Sequence, residues 1–339
     1  MRKGVGSVLP SPDPANAFEG ASVWSAWTAA GAQASAFATA RAALAALLSA
    51  RSIRRLWLPA YCCDTLADGA RAAGVDLGWY GVDQRLDAVT SDIEAGLAAG
   101  DAALAIAYFG RAPDAGLRDL AARHPDVLWI EDRAQALHTG LASLGAVTLY
   151  SPRKLLGVAD GGLLVGDDLP TPGASGVDPE SLWRPNDLRR ADPDGLAPEA
   201  WFTAFRDREA AFDATPAPCT PRTLEALKAV PLAREADARR RNWRALAGPL
   251  SGLALWDDDA PIFAPLAFPI RVKDAAALSR HLADRRIWAA RHWVDLPSPV
   301  TFGAAHALSA RCLSLPLDGR YDIEDMRRVA DAVLAFADG

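Results

Sequence analysis

Lysine is nearly missing from this chain: of its 36 basic residues only Lys3, Lys154, Lys228 and Lys273 are not arginine. Neither a basic stripe nor a polycationic tail is present. With a net charge of −6 and a pI near 5.4, the sequence argues against a nucleic-acid or anionic-membrane partner and leaves small molecules as the better expectation. Cysteine is sparse too. The four residues Cys62, Cys63, Cys219 and Cys312 show no metal-ligand spacing, so no metal site is expected. Adjacent Cys62 and Cys63 cannot bond each other without strain, which fits a reducing, cytoplasmic setting. Long apolar runs are lacking as well. Pro10 and Pro12 interrupt any signal-like segment after Met1-Arg2-Lys3. The uncharged stretch Gly20 to Ala40 is mostly Ala, Ser, Thr and Gly, with Gln33 inside, and is too polar to span a bilayer; it reads as a surface loop and a buried helix.

What is present is a soluble globular balance, 50% hydrophobic and 23% charged over 339 residues, enough for one large domain and a smaller one. From Thr39 to Asp168 strand-like and helix-like segments alternate. Thr39 to Ala50 carries Leu44, Leu47 and Leu48 at helical spacing behind a Thr39 N-cap. Apolar runs at Arg55 to Ala60, Val75 to Val82, Ala102 to Phe109 and Val127 to Asp132 alternate with helical patterns at Thr65 to Ala73 and Ala115 to His124. Such alternation builds a doubly wound α/β domain with parallel strands. Ala146 to Tyr150 and Gly162 to Val165 are expected as strands of the same sheet. Residues Asp167 to Pro221 are expected to be irregular, with a short helix or two. A long helix from Thr223 to Leu250 then leads to a second domain holding a strand at Pro265 to Val272 and helices at Ala275 to Asp284 and Ile323 to Phe336. The expected division is 1–235, an N-terminal arm and large α/β domain, and 236–339, a small C-terminal α+β domain.

In open parallel sheets ligands bind at the carboxyl ends of the strands, so residues there come first. The strand Val127 to Asp132 ends in Glu131 and Asp132, with Gln135 three residues on. A carboxylate so placed either caps a helix or holds a heterocyclic nitrogen protonated, turning that ring into an electron sink. Thr39 opens a helix whose first N–H groups and positive dipole end suit a phosphate. Lys154, in Ser151-Pro152-Arg153-Lys154-Leu155-Leu156-Gly157, is either a solvated loop lysine or an amine that forms an imine with an aldehyde, chemistry closed to a guanidinium. An imine-forming lysine, an aspartate for a ring nitrogen and a phosphate cup are together what pyridoxal 5'-phosphate requires of a protein.

The segments Leu58 to Cys63, Tyr108 to Arg111, Glu131 to Ala136 and Tyr150 to Gly162 come in the order and spacing of a known family. So do Arg240 to Trp243, Arg291-His292-Trp293 and Leu315-Pro316-Leu317. From about Phe37 onward the sequence resembles the DegT/DnrJ/EryC1/StrS sugar aminotransferases of pyridoxal-phosphate fold type I. The resemblance implies Lys154 as the Schiff-base lysine, Asp132 as partner of the pyridine nitrogen, Gln135 near the phenolic oxygen and Ala134 against one ring face. Thr39, Ala40 and Arg41 match the phosphate-holding positions. Cys63 stands where the family often has an aromatic, which leaves ring stacking to Tyr61 or to a smaller contact. Leu149 replaces the family's serine five residues before the lysine, and Ser151 is the alternative source of that hydroxyl. The family's asparagine-and-arginine segment after the lysine has no clear counterpart.

The implied activity is transfer of an amino group from an amino acid, glutamate by family habit, to a keto group of a nucleotide-linked sugar, in a homodimer. Two alternatives stay open: a sugar dehydratase, against which Lys154 argues because a histidine replaces it there, and a non-catalytic binding relative. The run Arg234 to Arg244, with Arg291, either grips a carboxylate or diphosphate or is a solvated helix face, and the solvated face is the favoured reading. His292 and Trp293 read as a surface histidine beside a core tryptophan. Cys62 and Cys63 read as buried small residues.

Overall fold

The computed structural model describes residues 3–12, 20–28, 32–174, 178–257 and 261–337. Seven strands form the central sheet, in the spatial order Gln33–Phe37, Gly162–Gly166, Val147–Tyr150, Leu128–Asp132, Ala102–Ile106, Arg55–Pro59, Asp76–Tyr80. The last five of these lie parallel to one another, and Gly162–Gly166 runs antiparallel to both of its neighbours. The inner parallel strands are almost wholly buried, because both faces are covered, and Ala102–Ile106 is buried at every position, whereas the edge strand Asp76–Tyr80 is mostly half-buried. Their carboxyl ends therefore share one edge, where Tyr61, Asp132 and Ser151 follow or close the strands.

Local chemistry explains the helix that opens the site. Thr39 is extended (φ −141°, ψ 157°), and its hydroxyl accepts the Ala42 N–H at 3.0 Å, starting the helix Ala40–Ala50. Ala42, Ala43, Leu44, Leu47 and Leu48 then bury its inner face. Gly161 donates its N–H to Ala38 O at 2.7 Å and bridges Thr39, which clamps this helix start to the strand that follows the Lys154 turn.

Three expectations are corrected. Gly20 to Ala40 is not a loop and one buried helix: it holds the short helix Val23–Trp27 and the edge strand Gln33–Phe37, while 29–31 lie outside the described residues. The segment after Asp167, expected to hold a short helix or two, carries two longer ones, Pro179–Ala191 and Pro198–Ala211, packed on each other. The stretch from Thr223 to Leu250 is two helices, Pro221–Ala229 and Leu232–Ala247, because proline disfavours helical geometry in the residue before it and Pro231 ends the first.

The helix Leu232–Ala247 leads to a two-stranded antiparallel sheet of Ala267–Arg271 and Cys312–Pro316, with Ala275–Ala283 against the second strand and Ile323–Ala337 packed on Leu232–Ala247 and Ala275–Ala283. The expected boundary after residue 235 falls in the first turn of that helix. One apolar cluster nonetheless runs from Phe37 through Trp243 and Phe268 to Val333, so the core crosses it. Among the described residues no helix is long and apolar enough to cross a membrane.

Candidate active site

Strand alternation sends Glu131 and Asp132 to opposite faces of the sheet. Glu131 is fully buried and engaged by Arg133 Nε at 2.6 Å and by the Leu144 N–H at 2.8 Å. Asp132 takes the Ala134 N–H on Oδ1 at 2.7 Å. Burial pushes its carboxyl pKa up, while the charge of Lys154 and the Ala134 N–H pull it down. Lys154, 154 − 132 = 22 residues later, is therefore close enough in space for Asp132 to feel its charge.

Lys154 is presented by the short turn Pro152–Leu155, which begins with Pro152 behind Ser151. It is partly buried, so the reading as a solvated loop lysine is not what the fold shows. Ser151 is buried and its Oγ has no hydrogen-bond partner among the described residues. Pro152 packs where a Cβ on Gly161 would fall, which brings the Ser151 turn to the Thr39 helix start through the Gly161 clamp. Leu149 is buried in the core, its carbonyl accepting the Arg133 N–H at 2.7 Å. Gln135 is buried too. Its Oε1 accepts the Phe109 N–H at 2.8 Å, which supports Phe109 at φ 51°, and its Nε2 has no partner among the described residues.

These orphans test the fit to pyridoxal phosphate. A buried hydroxyl and a buried amide N–H without partners each cost about 1–3 kcal/mol, a cost a polar ligand removes. Gln135 follows the buried Asp132 carboxylate by three residues, and the Ser151 turn is tied through Gly161 to the Thr39 helix start, so both belong to segments carrying what a pyridinium and a phosphate need. The residues fit the group. Thr39 and Arg41 also meet the chain segment beyond Pro198–Ala211: Thr39 Oγ1 lies 3.4 Å from Asp213 O, and Arg41 Nη1 3.4 Å from Phe212 O.

Tyr61 and Cys63 are placed differently. Tyr61 is wholly buried, donates to His292 O, and packs its ring against Tyr108 and Trp293 at 5.9 and 5.6 Å. Cys63 caps the helix Asp64–Ala72 without a side-chain cap bond and lies with Sγ 2.8 Å from Thr65 Oγ1. Cys62 is buried, and burial raises its thiol pKa well above normal.

Lys154 also lines a cavity of about 800 Å³ together with Arg153, Arg208, Glu209, Arg239, His292, Trp201, Phe202, Phe205 and Trp288. None of the other residues inferred to hold the cofactor (Thr39, Ala40, Arg41, Tyr61, Cys63, Asp132, Ala134, Gln135 and Ser151) lines it. His292 is a correction. It is not a surface residue: it faces the cavity, Nδ1 pairs with Ser314 Oγ at 2.8 Å, and its pKa is pushed down to about 4 by burial first and by Lys154's charge second. Arg239 is a second correction to the solvated-face reading: it is buried and donates to Leu155 O at 2.6 Å, Pro265 O at 3.1 Å and Leu266 O at 3.2 Å. Glu209 was not foreseen at all; it holds Arg153 with both oxygens at 2.6 Å.

No protein-family model matches the chain, and no curated protein is similar to it in sequence. Solved structures are. A putative sugar aminotransferase from Streptococcus pneumoniae, Spr1654 in its PLP form, superposes with a TM-score of 0.70 at 14% identity, over 97% of this chain and 97% of that one. The chain has the type I aminotransferase fold. DesV from S. venezuelae, solved with a ketimine intermediate, gives a TM-score of 0.65 at 20% identity over 93% of this chain and 87% of its own. The sugar aminotransferase CalS13 from Micromonospora echinospora gives 0.63 at 17% identity, over 98% and 99%. On this fold the Asp132 edge is the carboxyl edge of the parallel sheet, where the topology leaves room for a ligand.

Proposed function

We propose that this protein is a pyridoxal-phosphate-dependent aminotransferase that moves an amino group from an amino acid, glutamate being the leading donor, to a keto group of a sugar, nucleotide-linked in the fuller form of the reading. The observation that carries it is Lys154 within electrostatic reach of buried Asp132, beside the unpartnered Ser151 Oγ and Gln135 Nε2. When bound, pyridoxal phosphate supplies an aldehyde that joins amines and a ring that takes up the electrons left when a proton departs the donor's α-carbon.

In this reading Lys154 Nζ is the amine that holds the group and the base that carries the α-proton. Asp132 keeps a proton on the ring nitrogen, a role favoured by burial, since a buried carboxylate gains most from a cation beside it. The first turn of Ala40–Ala50 with Thr39, Ala40 and Arg41, and the Ser151 hydroxyl, bind the phosphate; Gln135 Nε2 donates toward the ring's oxygen, and Ala134 supplies a small contact to one face. Tyr61 and Cys63 border the same edge and are assigned to its wall. A homodimer is proposed by analogy with the fold alone.

Purified protein tests the reading. Added pyridoxal phosphate should give a visible absorption band that borohydride fixes covalently on Lys154, detectable as a mass increment on its peptide. A Lys154→Ala variant should bind the group without fixation. Protein that takes up none, or that is labelled on Lys228 instead, would end the proposal.

A further inference from the structure

Glu209 gives both carboxylate oxygens to Arg153 Nη1 at 2.6 Å, and Arg153 is the residue directly before Lys154 in the turn Pro152–Leu155. The helix that carries Glu209 is held fast behind it. Trp201, Phe205, Arg208 and Glu209 fall within about 100° of arc on Pro198–Ala211, the face that lines the cavity. Buried Trp201 donates Nε1 to Asp192 Oδ2 at 2.9 Å, and buried Arg208 donates to Leu182 O at 3.1 Å and Asn186 Oδ1 at 2.6 Å, which pins the helix to Pro179–Ala191 and its C-cap. Beyond Ala211 the chain turns to the other half of the site. The Arg153 guanidinium lies 5.2 Å over the Phe212 ring, Phe212 O faces Arg41 Nη1 at 3.4 Å, and Asp213 O faces Thr39 Oγ1 at 3.4 Å. The short segment from Glu209 to Asp213 therefore touches the Lys154 turn through Arg153 and the start of Ala40–Ala50 through Thr39 and Arg41.

Electrostatics single out Glu209 within it. Its carboxylate lies between two guanidiniums, Arg153 at 2.6 Å and Arg208 Nη2 at 3.5 Å, whose side chains are only 15% and 5% exposed. Among the described residues neither arginine is ion-paired to any other carboxylate. Breaking such a pair on one side leaves an uncompensated charge that must move toward water. Arg153 is the one free to move, since Arg208 keeps its two oxygen acceptors, and its movement displaces the backbone that presents Lys154. Resting on the aminotransferase reading, we infer that Glu209 is a positioning residue, and that the segment it begins is a clasp holding the Lys154 turn against the Thr39 helix start, so that amine and phosphate cup meet the cofactor together.

Hydrogen exchange of the full chain without added cofactor tests the clasp directly. In Glu209→Gln and in Arg153→Met, the amides of Lys154 and Leu156, bonded to Ser151 O and Pro152 O, and those of Ala42 and Ala43 behind Thr39 should exchange at least about threefold faster, while the helix Ala115–Arg123 is unchanged. Arg153→Met leaves Glu209 with Arg208, so the fold does not rest on one variant. Borohydride-fixable uptake of pyridoxal phosphate on Lys154 should slow at least about tenfold in both, and the double variant should match the slower single one, as a shared pair requires. Glu209→Asp, which keeps the charge, should lie nearer the wild type than Glu209→Gln. Exchange unmoved at either segment, an effect in one variant alone, additive losses, or no gain in Glu209→Asp overturns the inference. A wild type that takes up no pyridoxal phosphate ends the aminotransferase reading, and the exchange measurement then judges the clasp by itself.

Discussion

Gly162→Ala asks whether the phosphate of the cofactor sits at the start of the Ala40–Ala50 helix. A Cβ added at Gly162 would lie 2.1 Å from Thr39 O, 2.2 Å from Thr39 C and 2.4 Å from Ala40 N, all backbone atoms that no rotamer change can move. Restoring ordinary contact requires the strand and the helix start to part by roughly 1 Å. Overpacking of this kind costs about 1–3 kcal/mol, and loosening the Gly161–Ala38 hydrogen bond at 2.7 Å adds about 1 kcal/mol. A total of about 2–4 kcal/mol is less than the 5–15 kcal/mol typical of a folded chain, so the variant should remain folded. What should suffer more is anion binding, because Thr39 and Ala40 are the residues displaced. One or two charge-assisted hydrogen bonds lost from a phosphate, at about 1.5–3 kcal/mol each, weaken cofactor binding by roughly 10-fold to 1000-fold or more.

The assay pairs urea unfolding with a pyridoxal-phosphate titration followed by absorbance. Gly248→Ala is the control, since nothing lies within 4 Å of the added Cβ and its φ is −61°. It should match the wild type in cofactor affinity. If folded Gly162→Ala binds pyridoxal phosphate within twofold of the wild type, the phosphate is not held at this helix start.

Three further outcomes are expected. His292 has a folded pKa of about 4 against 6.5 for a free histidine, so the unfolded chain binds the extra proton first and stability should fall as pH drops from 6.5 toward 4. The loss is about 2 kcal/mol after allowing for the ring's partial exposure, and His292→Gln should flatten that part of the urea-midpoint profile, leaving the similar slope due to His138. Asp160→Asn should cost about 2–4 kcal/mol in urea melts, because its buried carboxylate accepts from the Thr220 N–H at 2.7 Å, Thr220 Oγ1 at 2.9 Å and Thr223 Oγ1, and an amide turns one acceptor into a donor facing donors. Arg239→Met should lower stability by about 3 kcal/mol and slow borohydride-fixable cofactor uptake, since Leu155 O loses the donor that steadies the Lys154 turn; unchanged uptake would separate Arg239 from the site.

Much of the sheet was legible because its strands are apolar runs closed by turn residues, with helical spacing between them. Arg55–Pro59, Ala102–Ile106 and Leu128–Asp132 each lie within an expected run. Gln33–Phe37 was not legible: its small, polar residues pair at the sheet edge with Gly162–Gly166, a neighbour distant in sequence. A short helix or two was expected here, but a composition of proline and charge hid the length and place of Pro179–Ala191 and Pro198–Ala211, although Asp178 before Pro179 is a helix start that could have been read: its carboxylate accepts the Glu180 and Ser181 N–H groups. That omission mattered most for function, since these helices carry Trp201, Phe202, Phe205 and Glu209, and no local pattern says that a helix so far along the chain returns to Lys154.

Arg239 shows how much more a run of charges contains. Consecutive residues on a helix point about 100° apart, so Arg239, Arg240 and Arg241 spread over about 200° and cannot share one solvated face, and Arg244 falls between the last two. One of them must turn inward wherever the helix packs. The stripe that packs is visible in the residues around them: Ala236, Arg239, Trp243 and Leu246 follow at intervals of three, four and three, and all four are buried. The sequence therefore singles out Arg239 as the inward arginine. What it lacks is the reason such a charge is tolerated there, because the carbonyls that receive it come from Leu155, Pro265 and Leu266, parts of the chain that only the fold brings together. A guanidinium whose two terminal nitrogens are committed to the backbone behind Lys154 is fixed structure and not a free anion grip.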